Sequence, residues 1–547
     1  MITLLDGFVD EPSCLGVPPY ISPHARYIAG AIKDAGAEYE YMTIEEWRKG
    51  RRVMGDVLVI LAGAIVPGRY LRAMPMSFKE FVEICRTFRG TTILTGAAAK
   101  FGFGQGGGIS LRDGSRYAEY VAREDGDAFV YDFLNGVVQD RRRTEREWRK
   151  WSIYGADVVV HHPDYPQPLI AEMETYRGCV RWFTGGCSFC MEPCFGKPIM
   201  RKIEDIVGEV MELRKHGVVN FRMGGQSCFF SYRAMGIGKR EIPQPNPAAI
   251  QRLLEGVSKT NPAVLHIDNV NPAVVSEWEN ESMEIAEMIK KYCTPGNTAA
   301  FGMESADKDV IRENNLNAEP WQVMNAIRII NMIGGERGEN GMPHFLPGIN
   351  IVYGLKKESK ATYSENFAFL KSVVDSGYLI RRINIRQVVA LRGKRGKVDA
   401  KLFRKFKREV NEQVNKKMLE QLLPKGTILK RVYLEIHRGN HTIGRQIGSY
   451  PVVVHLPYKE VLNRFVDVKV LSTGYKSVEA MEYPLNINYA SFNALCALPT
   501  IGEKRAARII KNKPFKNIEE LRAVIDDRGE NNEKEVGEES LEKYITF

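Results

Sequence analysis

Cys179, Cys187 and Cys190 stand in the stretch Glu174-Thr175-Tyr176-Arg177-Gly178-Cys179-Val180-Arg181-Trp182-Phe183-Thr184-Gly185-Gly186-Cys187-Ser188-Phe189-Cys190. Thiolate sulfur is a soft ligand that favours iron–sulfur clusters and zinc. Three such ligands on a four-iron cluster leave one iron without a protein donor, and an open iron can bind a small molecule. Cys194 lies just beyond. A structural zinc site made of all four cysteines is a rival reading, but such sites pair two short spacings, and here only Cys187 and Cys190 have two residues between them. Chance clustering in a core fits poorly with the glycine-rich, polar surroundings.

The elements around this loop alternate between strand and helix. Residues 2–9, 56–62 and 91–95 read as strands, and 25–35 and 78–88 as helices closed by Gly36 and Gly90. That order implies a doubly wound, mostly parallel sheet over residues 1–165, whose ligands sit at the carboxyl ends of the strands. The glycine-rich run 101–108 follows one strand end and reads as a loop. Strands at 169–174, 221–225, 264–270, 299–303, 348–353 and 382–389 then alternate with helices at 203–216, 247–257, 279–291, 320–333 and 363–376. Such βα units imply a parallel barrel or partial barrel over 166–397, with the cysteine loop directly after its first strand, where barrel enzymes keep their active sites. A basic amphipathic helix over 401–422, broken at Leu423-Pro424-Lys425-Gly426, leads to short strands over 427–484 that suit a small β-barrel. Residues 487–525 are helical again. Between two short helices, 491–497 and 503–511, Leu498-Pro499-Thr500-Ile501-Gly502 makes a tight turn whose free N–H groups suit a phosphate.

Composition narrows the class. The 547 residues hold nine cysteines, an odd number of which four fall between Cys179 and Cys194, so a disulfide scaffold is not indicated. No apolar run is long enough to span a bilayer, and the opening Met1-Ile2-Thr3-Leu4-Leu5-Asp6-Gly7 lacks a secretory pattern, so a cytoplasmic protein is expected. The net charge of +10 is uneven: 397–445 carries thirteen Lys/Arg against five Asp/Glu, and 526–547 carries eight acids against three bases. A basic segment before an acidic tail fits polyanion binding, and fits a solvated helix face as well.

From Arg177-Gly178-Cys179 to Cys187-Ser188-Phe189-Cys190 the chain resembles the cluster loop of the radical S-adenosylmethionine enzymes. The resemblance implies a [4Fe-4S] cluster on three cysteines whose fourth iron chelates S-adenosylmethionine, an electron donor such as ferredoxin or flavodoxin, and a 5′-deoxyadenosyl radical that abstracts hydrogen from a substrate. The family spacing is C-x3-C-x2-C. Here seven residues separate Cys179 from Cys187, and Cys194 offers gaps of two and then three instead. Phe189 before Cys190 and Arg177-Gly178 before Cys179 match the family and favour Cys179. Gly224-Gly225-Gln226 resembles the glycine motif that meets the methionyl amino group. Gly302-Met303-Glu304-Ser305-Ala306 resembles the fourth-strand Glu-Ser segment that faces the cofactor, and 349–355 and 387–393 resemble the fifth and sixth strands.

The flanks carry weaker resemblances. Residues 1–165 are similar to the Rossmann-like, cobalamin-binding-type domain of some radical enzymes. The Asp-x-His-x-x-Gly signature is absent and His24 is outside that context, as in many members, so cobalamin is a further candidate cofactor. With only Cys14 and Cys85 in this region, a second cluster is not expected. Residues 423–484 resemble the RNA-binding TRAM β-barrel, and 485–526 resemble a helix-hairpin-helix in which Thr500 stands where glycine is usual. Ile501, Gly502, Lys504 and Arg505 are then the expected nucleic-acid contacts. The full division is 1–165, 166–397, a linker helix 398–422, 423–484, 485–526 and an acidic tail 527–547. The expectation is a radical enzyme modifying nucleic acid, with RNA and especially tRNA favoured. A cobalamin-dependent radical methyltransferase acting on a protein or small molecule is the alternative, and a non-catalytic zinc protein that binds nucleic acid is a third.

Overall fold

The computed structural model describes residues 1–11, 13–64, 70–104, 111–389, 391–392, 395–525 and 541–547. Most of the glycine-rich run (105–108) and of the acidic tail (526–540) therefore lies outside the described residues. The chain forms two compact units, Met1–Glu336 with His344–Arg408, and Arg337–Pro343 with Glu409–Phe547.

The first unit opens with a parallel sheet. β1 (Ile2–Glu11) is fully buried, as a central parallel strand covered on both faces must be. β2 (Cys14–Leu15) folds back on its end, with Glu11 opposite Cys14. β3 (Tyr20–Ile21) leaves this sheet. β4 (Tyr39–Thr43) and β5 (Val57–Ala64) flank β1, and β6 (Thr91–Thr95) and β7 (Tyr120–Val121) follow, giving the parallel order β4-β1-β5-β6-β7. In chain order this is 2-1-3-4-5, a doubly wound arrangement whose ligands bind where the winding reverses, beside β1 and β5. The core beneath it includes Leu5, Phe8, Ile60, Phe81 and Leu94. The helix Pro23–Asp34 starts at the Ser22 cap and lies so close to the helix Glu145–Tyr154 that a Cβ on Gly30 would come within 2.1 Å of the Trp151 carbonyl oxygen.

A second parallel series follows: β8 (Ile170–Met173), then β9 (Tyr176–Arg177) and β10 (Ile199–Met200) as an antiparallel ribbon, β11 (Asn220–Met223), β12 (Val264–Ile267), β13 (Asn269–Val270), β14 (Asn297–Glu304), β15 (Phe345–Tyr353) and β16 (Arg382–Gln387). β8, β11 and β12 pair in parallel, as do β13 to β16. The segment expected as one strand over 264–270 is interrupted at Asp268. β3 adds to the front of this series beside β8, so residues before and after 165 share one compact unit. Two residues carry no periodicity, which is why the sequence did not show this strand.

Two buried histidines tie this unit's stability to pH. Burial pushes His162 and His266 down to about 4. The folded state keeps them neutral while the unfolded chain protonates them below about 6.5. Their contribution is therefore full above pH 6.5 and is lost as pH falls towards 4, about 3 kcal/mol each by linkage. Urea midpoints measured at pH 7 and pH 4.5 should fall less for His162→Asn than for the parent; an identical fall in both removes the histidine from the account.

In the second unit β17 (Ile428–Arg438), β18 (His441–Gln446), β19 (Val453–Leu456), β20 (Phe465–Thr473) and β21 (Ser477–Glu482) close a barrel in the order β17-β18-β19-β21-β20. Residues 401–422, expected as one helix, contain a π-helical turn at Val410–Asn415, and the division between the units falls at Arg408. β22 (Leu485–Asn486) pairs in parallel with β23 (Ile545–Thr546), so the last residues of the expected tail return to the fold with Tyr544 buried. The helices Phe492–Cys496 and Glu503–Asn512 flank the hairpin turn, where Thr500 takes φ +68°. That conformation suits glycine and is strained for a β-branched residue.

Candidate functional site

The cysteine loop springs from the carboxyl end of β8 and is pinched at its base by the β9–β10 ribbon, with Arg177 opposite Ile199. Cys179 caps a short turn through its carbonyl, which accepts from Trp182 N at 3.0 Å, and Cys190 N donates to the Cys187 carbonyl at 3.1 Å. Cys179 acts electrostatically on Cys187 and on Cys190, and Cys187 on Cys190, so the three thiols are neighbours. Burial pushes Cys179 up to about 11 and Cys187 up to about 12, and pushes the Cys190 thiol well above its ordinary value. A metal must therefore displace thiol protons to bind here. Cys194 is exposed, in a 3-10 turn (Glu192–Phe195).

The loop is fastened to the later strands. Cys187 and Phe189 pack on Val310, Ile311, Leu316, Leu355 and Val388. Ser188 N and Oγ bond the carbonyl and side-chain oxygens of Asn314, each at 3.0 Å. Arg181 forks onto the carbonyl and side-chain oxygens of Asn315 at 3.2 and 3.0 Å, reaches Glu241 at 2.7 Å, and points Nη1 at the Cys187 sulfur at 3.5 Å. Asn315 returns two bonds, to the Thr184 and Gly186 carbonyls. Sequence reasoning missed Arg181, Asn314 and Asn315, because nothing in their spacing links positions some 130 residues apart.

Gly224, Gly225 and Gln226 follow β11 and lie against the base of this loop. Gly225 N donates to the Met173 carbonyl at 2.9 Å, and Gln226 Oε1 accepts from Thr175 Oγ1 at 3.0 Å. A Cβ on Gly224 would fall 2.2 Å from Arg222 Nη1 and 2.3 Å from Glu172 Oε1, so a larger residue there must displace this buried ion pair. Glu304 ends β14 at an irregular register and takes φ +64°, a conformation worth about 1–3 kcal/mol of strain that concentrates at functional sites. It is half-buried, its solvent-shielded Oε2 has no hydrogen-bond partner among the described residues, and desolvation pushes it up to about 8 despite Arg386 nearby. Its carboxylate also acts on Cys187. Ser305 is buried and its Oγ accepts from Asp307 N. The structure thus places Cys179, Cys187 and Cys190 after β8, Gly224, Gly225 and Gln226 after β11, and Glu304 at the end of β14, all at carboxyl ends of strands in two parallel sheets.

The hairpin residues belong to the second unit. Ile501 is buried and its N–H is spent on the Leu498 carbonyl. Gly502, Lys504 and Arg505 are exposed, and Arg505 Nη1 donates to the Thr500 carbonyl at 2.8 Å.

Fold and loop define an α/β protein with a cysteine-bearing site at the mouth of a parallel series of strands. No protein-family model matches the chain. It belongs to the family of the uncharacterized protein MJ0274 of Methanocaldococcus jannaschii, with 45% identity over 500 residues, 87% of this chain and 92% of that protein. An uncharacterized protein of Archaeoglobus fulgidus is 39% identical over 539 residues, 95% of this chain and 97% of that one. Among solved structures, the radical S-adenosylmethionine methyltransferase TsrM from Kitasatospora setae, with cobalamin and [4Fe-4S] cluster bound, is similar at TM-score 0.44 and 12% identity, covering 71% of this chain and 74% of TsrM. The cobalamin-dependent S-adenosylmethionine radical enzyme OxsB, with aqua-cobalamin bound, is similar at TM-score 0.46 and 11% identity, covering 75% of this chain and 55% of OxsB. No helix among the described residues is long and apolar enough to cross a membrane.

Proposed function

We propose that the chain is a radical S-adenosylmethionine enzyme that modifies RNA, with tRNA the favoured substrate. The observation that carries this reading is the nearness of three thiols, Cys179 acting on Cys187 and Cys190, to Glu304, which acts on Cys187 and keeps a shielded Oε2 without a partner among the described residues. The donor set fits the group: three thiols for a 4Fe-4S cluster, and a glycine-lined, partly unsatisfied polar wall for an amino acid moiety. When bound, the cluster supplies the electron, drawn from a donor such as ferredoxin or flavodoxin, that cleaves S-adenosylmethionine to a 5′-deoxyadenosyl radical. The chain's own part is to hold and shield. Arg181 and Asn315 order the loop, Gly224 and Gly225 allow close approach, and Glu304 offers an unpaired oxygen to a positively charged amino group.

The second unit supports the choice of nucleic acid. Five-stranded barrels of this kind bind oligonucleotides. Tyr489 is 89% exposed just before the hairpin, in the same unit as the exposed Gly502, Lys504 and Arg505, and offers a platform for base stacking. Affinity for tRNA should fall steeply with salt, and Lys504→Glu with Arg505→Glu should weaken binding at least tenfold and lower the salt slope by roughly two. The decisive experiment is anaerobic reconstitution followed by two assays, deoxyadenosine release and mass spectrometry of nucleosides from RNA of cells lacking the gene. Release of deoxyadenosine with an unchanged nucleoside profile would discard RNA and keep the radical enzyme.

A second reading, methyl transfer through cobalamin onto a protein or small molecule, is favoured by the 2-1-3-4-5 sheet order of the first unit. Protein isolated with a cobalamin spectrum would support it.

A further inference from the structure

Glu11, Cys14 and His24 meet at the carboxyl end of β1, outside the cysteine loop. The β1–β2 turn sets Glu11 opposite Cys14, and His24 is the second residue of the helix Pro23–Asp34. All three residues are buried, and a carboxylate oxygen, the thiol sulfur and an imidazole nitrogen lie within 4.8 Å of one another.

Two further observations point to a ligand. The Glu11 side chain is only 1% exposed, yet neither of its oxygens has a hydrogen-bond partner within 3.5 Å among the described residues. Its nearest cationic neighbours are His24 Nε2 at 3.7 Å and Arg177 Nη1 at 3.9 Å, both beyond hydrogen-bond reach. Arg177 Nη1 also stands 3.2 Å from His24 Nε2. A guanidinium only donates, so Nε2 is the ring's acceptor nitrogen and carries the lone pair a metal would use. A finished ion-pair network would close the carboxylate with short bonds. Here the oxygen–nitrogen gap is close to the edge of a coordination tetrahedron, about 3.4 Å for metal–ligand bonds of about 2.1 Å.

We infer that Glu11, Cys14 and His24 bind a divalent transition-metal ion of the zinc class. One sulfur, one nitrogen and one oxygen donor make a three-ligand set, the kind that leaves a fourth position open. Glu11 and His24 also line a cavity of about 30 Å³, together with Asp125, Asp127 and Arg177, with room for a water on the ion. Binding releases the Cys14 thiol proton to solvent and requires Arg177 to give up Nε2. Arg177 already has a second partner, Glu174 Oε1 at 3.2 Å, towards which it can turn. This inference does not depend on the radical chemistry.

The test is an anaerobic Co2+ titration of the full-length Cys187→Ser, Cys190→Ser variant, in which the cysteine loop is disabled. One equivalent should bind with a thiolate-to-cobalt charge-transfer band and tetrahedral visible absorption, and Zn2+ should displace it. Adding Cys14→Ser should abolish the band. His24→Gln and Glu11→Gln should keep the band but weaken binding at least tenfold, with far-ultraviolet circular dichroism unchanged. No Co2+ bound by the parent, or a band indifferent to Cys14→Ser, overturns the inference. If Cys14→Ser fails to fold, His24→Gln and Glu11→Gln decide it: folded variants that bind Co2+ as tightly as the parent overturn it equally.

Discussion

Cys187→Ser and Cys190→Ser should each remove the cluster iron and stop deoxyadenosine formation, while Cys194→Ser leaves both intact. A serine hydroxyl is a hard, weakly acidic donor that does not replace a thiolate ligand to iron. Loss of one of three ligands leaves two, so the expected result is near-complete loss of iron after desalting and at least a thousandfold drop in product. The fold should tolerate the change, because the substitution is nearly isosteric and the loop's ties run through Arg181, Ser188, Asn314 and Asn315. Cys194 sits exposed in its own turn, whereas Cys179 acts on both Cys187 and Cys190. Cys179→Ser and Cys194→Ser are therefore the discriminating pair. Iron measured per chain and deoxyadenosine quantified by chromatography settle it: if Cys194→Ser loses iron and Cys179→Ser keeps it, the ligand set is Cys187, Cys190 and Cys194 instead.

How much of this was legible depended on whether the signal was local. The strand at 91–95 has the same limits in sequence and structure because Gly90 and Gly96 punctuate it. The helix Ile203–Lys215 ends within a residue of expectation because its apolar period stops before Gly217. The sulfur loop was visible because softness and spacing are sequence properties. The register irregularity at Glu304 was not, since it depends on pairing with Ile351 of β15. The π-helical turn at Val410–Asn415 was hidden for the same reason: its apolar residues continue the amphipathic pattern, and only packing reveals the extra residue per turn. At the hairpin, Thr500 stands where glycine is usual, and its positive φ shows the turn keeping its shape at a cost in strain. Glu11 and Cys14 gave no sign of meeting His24, because a hairpin and a helix start had to be folded together first.

Arg181→Met should loosen the cysteine loop without unfolding the first unit. Methionine keeps much of the side chain's length and apolar bulk, so the change removes the guanidinium fork rather than opening a large void. Three contributions are lost, and their sizes decide the outcome. The pair with Glu241 is partly screened, since that carboxylate is 43% exposed, and is worth about 1 kcal/mol or less. The two bonds to Asn315 are shielded and worth about 1–2 kcal/mol each, because a charged donor is replaced by nothing. The contact with the Cys187 sulfur holds that thiol lower than burial alone would set it. Local ordering should thus fall by about 2–4 kcal/mol, enough to raise the fraction of disordered loop by one to three orders of magnitude. The readout is iron retained through desalting, expected at a small fraction of the parent's. Arg181→Lys keeps the charge but cannot span Glu241 and Asn315 together, and should fall between the two. Glu241→Gln should barely change iron content. A Glu241→Gln loss as large as that of Arg181→Met would mean that the exposed ion pair, and not the fork onto Asn315, orders the loop.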